Sequence, residues 1–148
     1  MNEIAFRKAG PEDLAVIVPM WQGLFPEYDE MTTREEIELE LLDPDGAVLL
    51  AEDDSAAKGF LHVVLRHDYV GGCKTSPVGY IEAWFVVEEA RRKRIGAMLV
   101  EAAENWARAK GCTEMGSDCL LDNDVSFAAH TAIGYREVQR VIEFAKTL

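Results

Sequence analysis

The spacing of hydrophobic residues along the chain changes between the two periods that distinguish strands from helices. Short apolar or alternating runs predict strands, and apolar residues three and four positions apart predict helices. Over the 148 residues this pattern predicts six strands and four helices in the order βααβββαβαβ. No linker-like segment interrupts it, so we expect one α/β (α+β) domain spanning residues 1–148.

Turn and capping residues give the boundaries of these elements. The predicted strands are Glu3–Arg7, Ala47–Ala51, Gly59–Leu65, Tyr80–Val87, Thr113–Cys119 and Tyr135–Lys146. The predicted helices are Pro11–Phe25, Thr32–Leu42, Ile95–Lys110 and Asn123–Ile133, the second opened by a capping box of Thr32 and Glu35. The segment RHDYVGGCKTSPVG between two strands is longer than a hairpin requires, and such loops are often functional.

The formal net charge of −12 is concentrated in one region of the sequence. Residues 27–54 contain twelve acidic residues and a single basic residue, Arg34. Such a field repels nucleic acid and anionic membranes and attracts cations. A solvated acidic helix that aids solubility explains the same charges, and charge alone favours this second explanation.

Neither the cysteines nor the histidines indicate a metal site or an oxidising compartment. Cys73, Cys112 and Cys119 are odd in number and lack the spacing of metal ligands, and His62 and His67 have no supporting pattern. The sequence begins without the basic and then apolar build of a signal peptide, and no apolar run is long enough to span a bilayer. We therefore expect reduced thiols, structural histidines, no metal and a cytoplasmic location.

Four consecutive cations, Arg91–Arg94, run directly into the start of the most regular predicted helix. A strand, a tight turn with a glycine and a helix N-terminus together form an anion site, because the first N–H groups of the helix are free. Cations at the positive end of a helix dipole are unfavourable, which suggests that a polyanion such as a pyrophosphate offsets them. The alternative is a chance basic surface turn.

This turn also carries a resemblance to a known family. The stretch FVVEEARRKRIGAMLVEAA resembles the acetyl-CoA motif of the GCN5-related N-acetyltransferases (GNAT), a strand followed by R/Q-x-x-G-x-G/A. Arg91 takes the first position, Gly96 takes the last, and Arg94 replaces the first glycine. The resemblance implies a GNAT domain with a central mixed sheet flanked by helices. It also implies acetyl-CoA binding by Arg91, Arg92, Lys93, Arg94, Ile95, Gly96 and Ala97.

Three further stretches narrow the resemblance to the aminoglycoside 6′-N-acetyltransferases. They are LRHDYVGGCKTSPVGYIEAWFV, CTEMGSD and HTAIGYREVQRVIEFAK. This resemblance implies acetyl-CoA-dependent acetylation of the 6′-amino group of aminoglycosides, antibiotic resistance and a homodimer. Two alternatives stay open: acetylation of another cationic amine, such as a polyamine or a protein N-terminus, and a CoA-binding module without turnover, which the Arg94 replacement raises.

The resemblance also implies which residues bind the coenzyme. The backbone of Trp84, Phe85 and Val86 would splay or bulge, pair with the pantetheine arm and donate an N–H to the thioester oxygen. Asn123 matches an asparagine that often bonds the CoA arm. His130 stands where the superfamily often has the tyrosine that protonates the CoA thiolate. A half-buried helix histidine is an equally good explanation of His130.

Glu82 is the predicted general base. It lies two residues before Trp84, so strand alternation predicts that Tyr80, Glu82 and Trp84 share one face. A carboxylate among aromatic residues is costly without a partner, and it could hold the substrate ammonium and accept its proton directly or through water. The alternative is a strand-end glutamate that reaches solvent.

The remaining acceptor contacts rest on the family pattern. Asp118 would be a second ammonium contact, Phe25 and Tyr69 would flank the sugar rings, and Gln139 would be a further contact. Relatives tend to carry an acid at the Gln139 position, and the nearby Glu137 could compensate. From the residues alone, Asp118 is a helix cap or a turn residue.

Overall fold

A five-stranded mixed sheet forms the centre of residues 3–148, the part of the chain that the computed structural model describes. The elements are β1 (Ala5–Lys8), α1 (Leu14–Leu24), α2 (Glu30–Leu42), β2 (Gly46–Glu52), β3 (Ala57–Arg66), β4 (Val78–Val86), α3 (Ile95–Ala109), β5 (Met115–Ser117) and α4 (Asp124–Ala132). The strands lie in the order β1-β2-β3-β4-β5, antiparallel except for β5, which runs parallel to β4. The predicted fold class is confirmed, and so is the predicted element order through α4.

Strand alternation sends the side chains of β2 into two separate cores. Leu49 packs in a cluster with Leu99 of α3. Its neighbour Leu50 packs in a second cluster with Trp21 of α1 and Ile37 of α2. Helix α3 therefore covers one side of the sheet, whereas α1 and the acidic helix α2 cover the other side.

Helix α2 begins earlier than the sequence pattern predicts. Its N-cap is Asp29, whose Oδ1 accepts a 2.7 Å hydrogen bond from the backbone N–H of Thr32. The predicted capping box of Thr32 and Glu35 is therefore wrong. A carboxylate at the N-cap satisfies a free N–H and favours the helix dipole, and these hydrogen bonds from Thr32 also lower the pKa of Asp29.

The predicted final strand, Tyr135–Lys146, does not form. Within residues 3–148, no backbone hydrogen bond joins the extended segment after Tyr135 to β5 or to any other strand. The apolar side chains of Val141, Ile142 and Phe144 are 68%, 82% and 91% exposed. An apolar segment forms a strand only where a neighbouring strand pairs with it, and none of the described strands pairs with this segment.

Strand β4 contains a β-bulge at Glu82. Along the pairing of β3 with β4, His62 lies opposite Ala83, whereas Val63 lies opposite Ile81. Glu82 is therefore the extra residue, and side-chain alternation shifts by one position there.

The bulge places Glu82 and Trp84 on opposite faces of the sheet. Trp84 packs with the α3 core, whereas Glu82 lines a cavity together with Trp21 and Phe25 on the α1 side. The prediction that Glu82 and Trp84 share a face is therefore wrong. Side chains alternate regularly from Tyr80 to Glu82, before the register shifts, so these two residues do share a face, and both contact Arg66.

The three cysteines are free: Cys112 is buried, and Cys73 and Cys119 are half-buried. Among residues 3–148 there is no group of three or more His, Cys, Asp or Glu side chains arranged to hold a metal ion. None of the helices in that range combines the length and the hydropathy needed to cross a membrane.

Candidate active site

Strands β4 and β5, the parallel pair at one edge of the sheet, separate next to the bulge. Strand β5 pairs with β4 only from Gly79 to Ile81, because β5 ends at Ser117 opposite Ile81. The edge of β4 from Glu82 to Val86 therefore has no strand partner on this side among the described residues. An extended ligand with amide groups can pair with such an edge.

The N-terminus of α3 lies beside this edge. The indole Nε1 of Trp84 donates a 3.1 Å hydrogen bond to the carbonyl oxygen of Gly96. A Cβ added to Gly96 would lie 3.2 Å from the Trp84 ring, so glycine lets the helix approach the strand closely. The backbone bond from Met98 N–H to Arg94 O is 3.0 Å long, which leaves the N–H groups of residues 95–97 without a helical acceptor.

The four cations before α3 are all exposed. Arg92 and Arg94 have left-handed backbone, with φ of 64° and 65°. This conformation is the one for which the family pattern uses glycine at the Arg94 position, and Arg94 adopts it as the N-cap of α3. Arg91 folds back, and its Nε donates a 2.9 Å hydrogen bond to the carbonyl oxygen of Val86.

Several residues predicted to bind the coenzyme have side chains that pack in the core, so only their backbone can contact a ligand. The side chain of Ile95 is 3% exposed and belongs to the core, so only its backbone can face a ligand. Phe85 packs with the core on the α1 side, and Trp84 and Val86 pack with the core on the α3 side, so these three can also contribute backbone groups at the open edge.

Glu82 is paired with a residue that the sequence analysis did not identify. Both Nη2 and Nε of Arg66 donate to Glu82 Oε1, at 2.8 Å and 3.1 Å. The guanidinium of Arg66 lies 3.5 Å from the centre of the Tyr80 ring. The Tyr80 hydroxyl donates a 2.5 Å hydrogen bond to Asp118 Oδ2, and burial together with this bond raises the pKa of Tyr80 well above its ordinary value. Glu82 and Asp118 are thus joined through Arg66 and Tyr80.

Glu82 opens into an acidic cavity of about 450 Å³ between the sheet and the first two helices. It is lined by Trp21, Phe25, Glu36, Glu40, Asp43, His62, Val64, Leu65, Glu82 and Ala83. The acidic sequence region thus contributes three carboxylates to this cavity, and its other acids do not line it. Of the predicted acceptor contacts, Phe25 and Glu82 lie here, whereas Tyr69, Asp118 and Gln139 do not.

His62, which the sequence predicts to be a structural histidine, lies on the cavity wall. Its side chain is 6% exposed, and its Nε2 is 3.1 Å from Glu40 Oε2, without the alignment of a hydrogen bond. Burial lowers the pKa of His62, and burial together with the charges of Asp43 and Glu82 raises the pKa of Glu40. Both shifts disfavour the charged forms of this pair.

His130 is held by hydrogen bonds at both ring nitrogens. Nδ1 lies 2.7 Å from the carbonyl oxygen of Ser126, which can only accept, so Nδ1 carries a proton. Nε2 lies 2.7 Å from Ser117 Oγ at the end of β5. The Trp84 ring meets the imidazole edge-on, with 5.2 Å between the centroids. His130 therefore lies beside the separation of β4 and β5.

Three predicted residues lie away from the cavity. Tyr69 is 84% exposed on the loop before β4. Gln139 is exposed, and its amide occupies the space that a Cβ on Gly71 would need. Asn123 is the N-cap of α4, and its Oδ1 accepts a 3.1 Å hydrogen bond from the backbone N–H of Ser126. The amide nitrogen of Asn123 is the part left for a ligand.

The sequence matches the family described as "Acetyltransferase (GNAT) family" over residues 14–135. It is 39% identical over 143 residues to aminoglycoside N(6′)-acetyltransferase type 1 of Stenotrophomonas maltophilia, covering 96% of this chain and 92% of that protein. It is 37% identical over 125 residues to the protein of the same name in Acinetobacter baumannii, covering 84% and 86% of the two chains.

Solved structures give the same picture at the level of the fold. Aminoglycoside N-acetyltransferase AAC(6′)-Iy in complex with CoA superimposes with a TM-score of 0.96 at 31% identity, covering 100% of this chain and 97% of that chain. AAC(6′)-Iy in complex with a bisubstrate analogue, CoA-S-monomethyl-acetylneamine, gives a TM-score of 0.94 at 32% identity, covering 99% of both chains.

The left-handed backbone at Arg94 makes a prediction about stability. Arg94→Gly should leave the free energy of unfolding unchanged or slightly raised, whereas Arg94→Val should lower it by about 2 kcal/mol, because a β-branched side chain is strained at positive φ. Urea unfolding of both variants measures this difference. Arg91, which has extended backbone with φ of −71°, is the control position, where valine should cost clearly less. Equal losses at both positions would contradict the prediction.

The buried His62 makes a prediction about pH. Its pKa is lowered by burial, so below about pH 6.5 the unfolded chain binds a proton that the folded chain does not. The free energy of unfolding should therefore fall as the pH drops below that value, by at most about 1.4 kcal/mol per pH unit. His62→Gln should flatten this fall in thermal unfolding between pH 7 and 5.5, whereas His67→Gln, at an exposed site, should not. The raised pKa of Glu40 acts in the opposite direction at lower pH.

Proposed function

The chain belongs to the GNAT family of acetyltransferases, and we propose that it transfers the acetyl group of acetyl-CoA to the 6′-amino group of aminoglycosides. The observation that carries this proposal is the position of Glu82, between an acidic cavity on one side and an open strand edge beside a basic helix N-terminus on the other. The relatives with this named activity are 37% to 42% identical to the chain. We take residues 1–148 as one catalytic domain.

The donor site is formed by the edge of β4 and the start of α3. Residues 95–97 present free N–H groups, and the exposed cations Arg91–Arg94 surround them, which suits the diphosphate of CoA. The pantetheine arm can pair with the unpartnered edge between Glu82 and Val86. An N–H of that edge then stabilises the negative charge that develops on the thioester oxygen.

The acceptor site is the acidic cavity. An aminoglycoside carries several ammonium groups, and Glu36, Glu40, Asp43 and Glu82 supply four carboxylates to the wall of this cavity. The aromatic ring of Phe25 offers an apolar wall beside these charges. A polycation therefore fits this cavity better than a neutral amine.

Acetyl transfer needs one new bond and one broken bond. The neutral acceptor amine attacks the thioester carbonyl carbon, the C–N bond forms, and the C–S bond breaks with its electron pair on sulfur. Glu82 accepts the amine proton, directly or through water. As an imidazolium, His130 would pass its Nε2 proton to Ser117 Oγ while the Ser117 hydroxyl proton moves to the CoA thiolate, because Nδ1–H is engaged by the Ser126 carbonyl.

We also propose that the protein is a homodimer and works in the cytoplasm. Residues of β5, α3 and α4, together with residues 134–138, line a groove of about 430 Å³, which we name the β5 groove. Among the described residues, β5 has an edge to which no strand is paired, and the apolar segment 141–144 is exposed without a strand partner. Each copy of the chain thus offers both an edge and a segment that can pair with it. In a dimer, the segment 141–144 of each copy can pair with the β5 edge of the other.

The cytoplasmic location rests on the cysteines. They are free, which suits a reducing compartment.

Glu82→Gln tests the general base. The amide cannot accept the amine proton, so kcat/KM for kanamycin or tobramycin should fall at least about 100-fold. Release of the CoA thiol measures the rate, and Glu101→Gln, at an exposed position on α3, is the matched control. A near wild-type rate of Glu82→Gln across pH would remove this role.

The same assay separates the candidate acceptors. An aminoglycoside with a hydroxyl in place of the 6′-amine should give no thiol release, and spermidine should be a poor substrate. Preference for spermidine would instead support a polyamine acetyltransferase. Tight acetyl-CoA binding without thiol release from any amine would support a binding module.

Phe144→Asp tests the homodimer. If the segment 141–144 is buried against a second copy, a charge there should raise the dimer dissociation constant at least about 30-fold. Sedimentation equilibrium measures it, and Leu39→Asp is the control, because Leu39 is 72% exposed on the other side of the sheet. A monomeric wild-type protein, or equal effects of the two variants, would argue against this pairing.

A further inference from the structure

The acidic cavity creates a difficulty for the reaction assigned to it. Carboxylates attract an ammonium group and stabilise its charged form, but only the neutral amine can attack a thioester. Glu36, Glu40 and Asp43 face the cavity from α2 and its C-terminal end, and Glu82 faces it from β4. His62 on β3 adds little positive charge, because burial lowers its pKa.

Arg66 supplies a cation beside Glu82. Both of its hydrogen bonds reach the same carboxylate oxygen, Oε1, at 2.8 Å and 3.1 Å. Within residues 3–148, no protein group donates a hydrogen bond to the other oxygen, Oε2. Glu82 is thus fixed by one oxygen and can receive an acceptor ammonium with the other.

The position of Arg66 is itself fixed from two directions. Its guanidinium carbon lies over Tyr80, 3.5 Å from the ring centre, and Tyr80 is held by its 2.5 Å hydrogen bond to Asp118. Stacking and a charge-assisted bond together restrict a side chain that is still 40% exposed. An ammonium bound at Glu82 Oε2 would therefore meet a positive charge in a defined place.

We propose that Arg66 is a positioning residue for acetyl transfer: it orients Glu82 through Oε1 and places a positive charge beside the acceptor ammonium at Oε2, which favours loss of the ammonium proton. This inference rests on the proposed function. A charge within a few ångströms of an ionisable group shifts its pKa by about one to three pH units, and a like charge disfavours the charged form. Arg66 thus offsets the surrounding carboxylates at the one amine that must react, while the other ammonium groups keep their carboxylate partners.

The pH dependence of kcat tests the proposal, because it reports ionisations in the enzyme–substrate complex. With tobramycin and saturating acetyl-CoA, Arg66→Gln should move the acid limb of the kcat profile to higher pH by about one unit. KM at high pH should not rise, because a competing cation has been removed. Arg66→Lys keeps the charge and should keep the acid limb of the wild type.

Two further variants complete the experiment. Thermal unfolding shows whether Arg66→Gln is folded. If it is not, Arg66→Met, which keeps the apolar length of the side chain, takes its place as the neutral variant. Lys58→Gln removes a cation that lies 3.6 Å from Asp53 at the β2–β3 turn, away from the cavity, and should leave the profile unchanged.

The outcomes distinguish the two proposals. A wild-type enzyme that turns over, with an unmoved acid limb in the folded neutral variants, would overturn the role of Arg66 alone. Absence of thiol release from the wild type with any aminoglycoside would overturn the proposed function and the role of Arg66 together. A shifted limb in the neutral variants but not in Arg66→Lys supports the proposal.

Discussion

The β-bulge at Glu82 is the constraint on which the rest of the site depends. Without the extra residue, strand alternation would keep Glu82 and Trp84 on one face of the sheet. With it, Trp84 contacts the first turn of α3, while Glu82 enters the acidic cavity. One irregular residue thus connects two regions of opposite charge across a single strand, and the separation of β4 from β5 leaves the edge between them open.

The two charged regions are built in different ways. The basic turn relies on backbone, because free N–H groups and left-handed residues at 92 and 94 define it and its cations stay exposed. The acidic cavity relies on side chains, in which Arg66 and Tyr80 connect Glu82 with Asp118. The turn thus places an exposed arginine where the family pattern has glycine, whereas Glu82 is held by the side chain of Arg66.

The sequence predicted what is local and missed what depends on distant pairing. Hydrophobic periods and turn residues located every element through α4, and the family pattern located Glu82 and the basic turn. The resemblance implied a splay or a bulge at Trp84, Phe85 and Val86. Strand β5 does pair with β4 only up to Ile81, but the bulge lies at Glu82, because the pairing of β4 with β3 shifts between His62 and Val63. Arg66 and His62 reach the site from that same neighbouring strand. The prediction of the final strand failed because no strand among residues 3–148 pairs with its β-branched and aromatic residues.

The acidic cavity has a consequence for how substrates arrive. Its field extends into solvent over roughly one Debye length, about 8 Å at physiological ionic strength. Encounter with a polycation is therefore fastest in dilute buffer and slows as salt screens Glu36, Glu40 and Asp43. The exposed turn Arg91–Arg94 gives the anionic donor the same dependence with the opposite sign of charge. Under the proposed function, added salt therefore screens at the same time the charges that attract the acceptor and those that attract the donor.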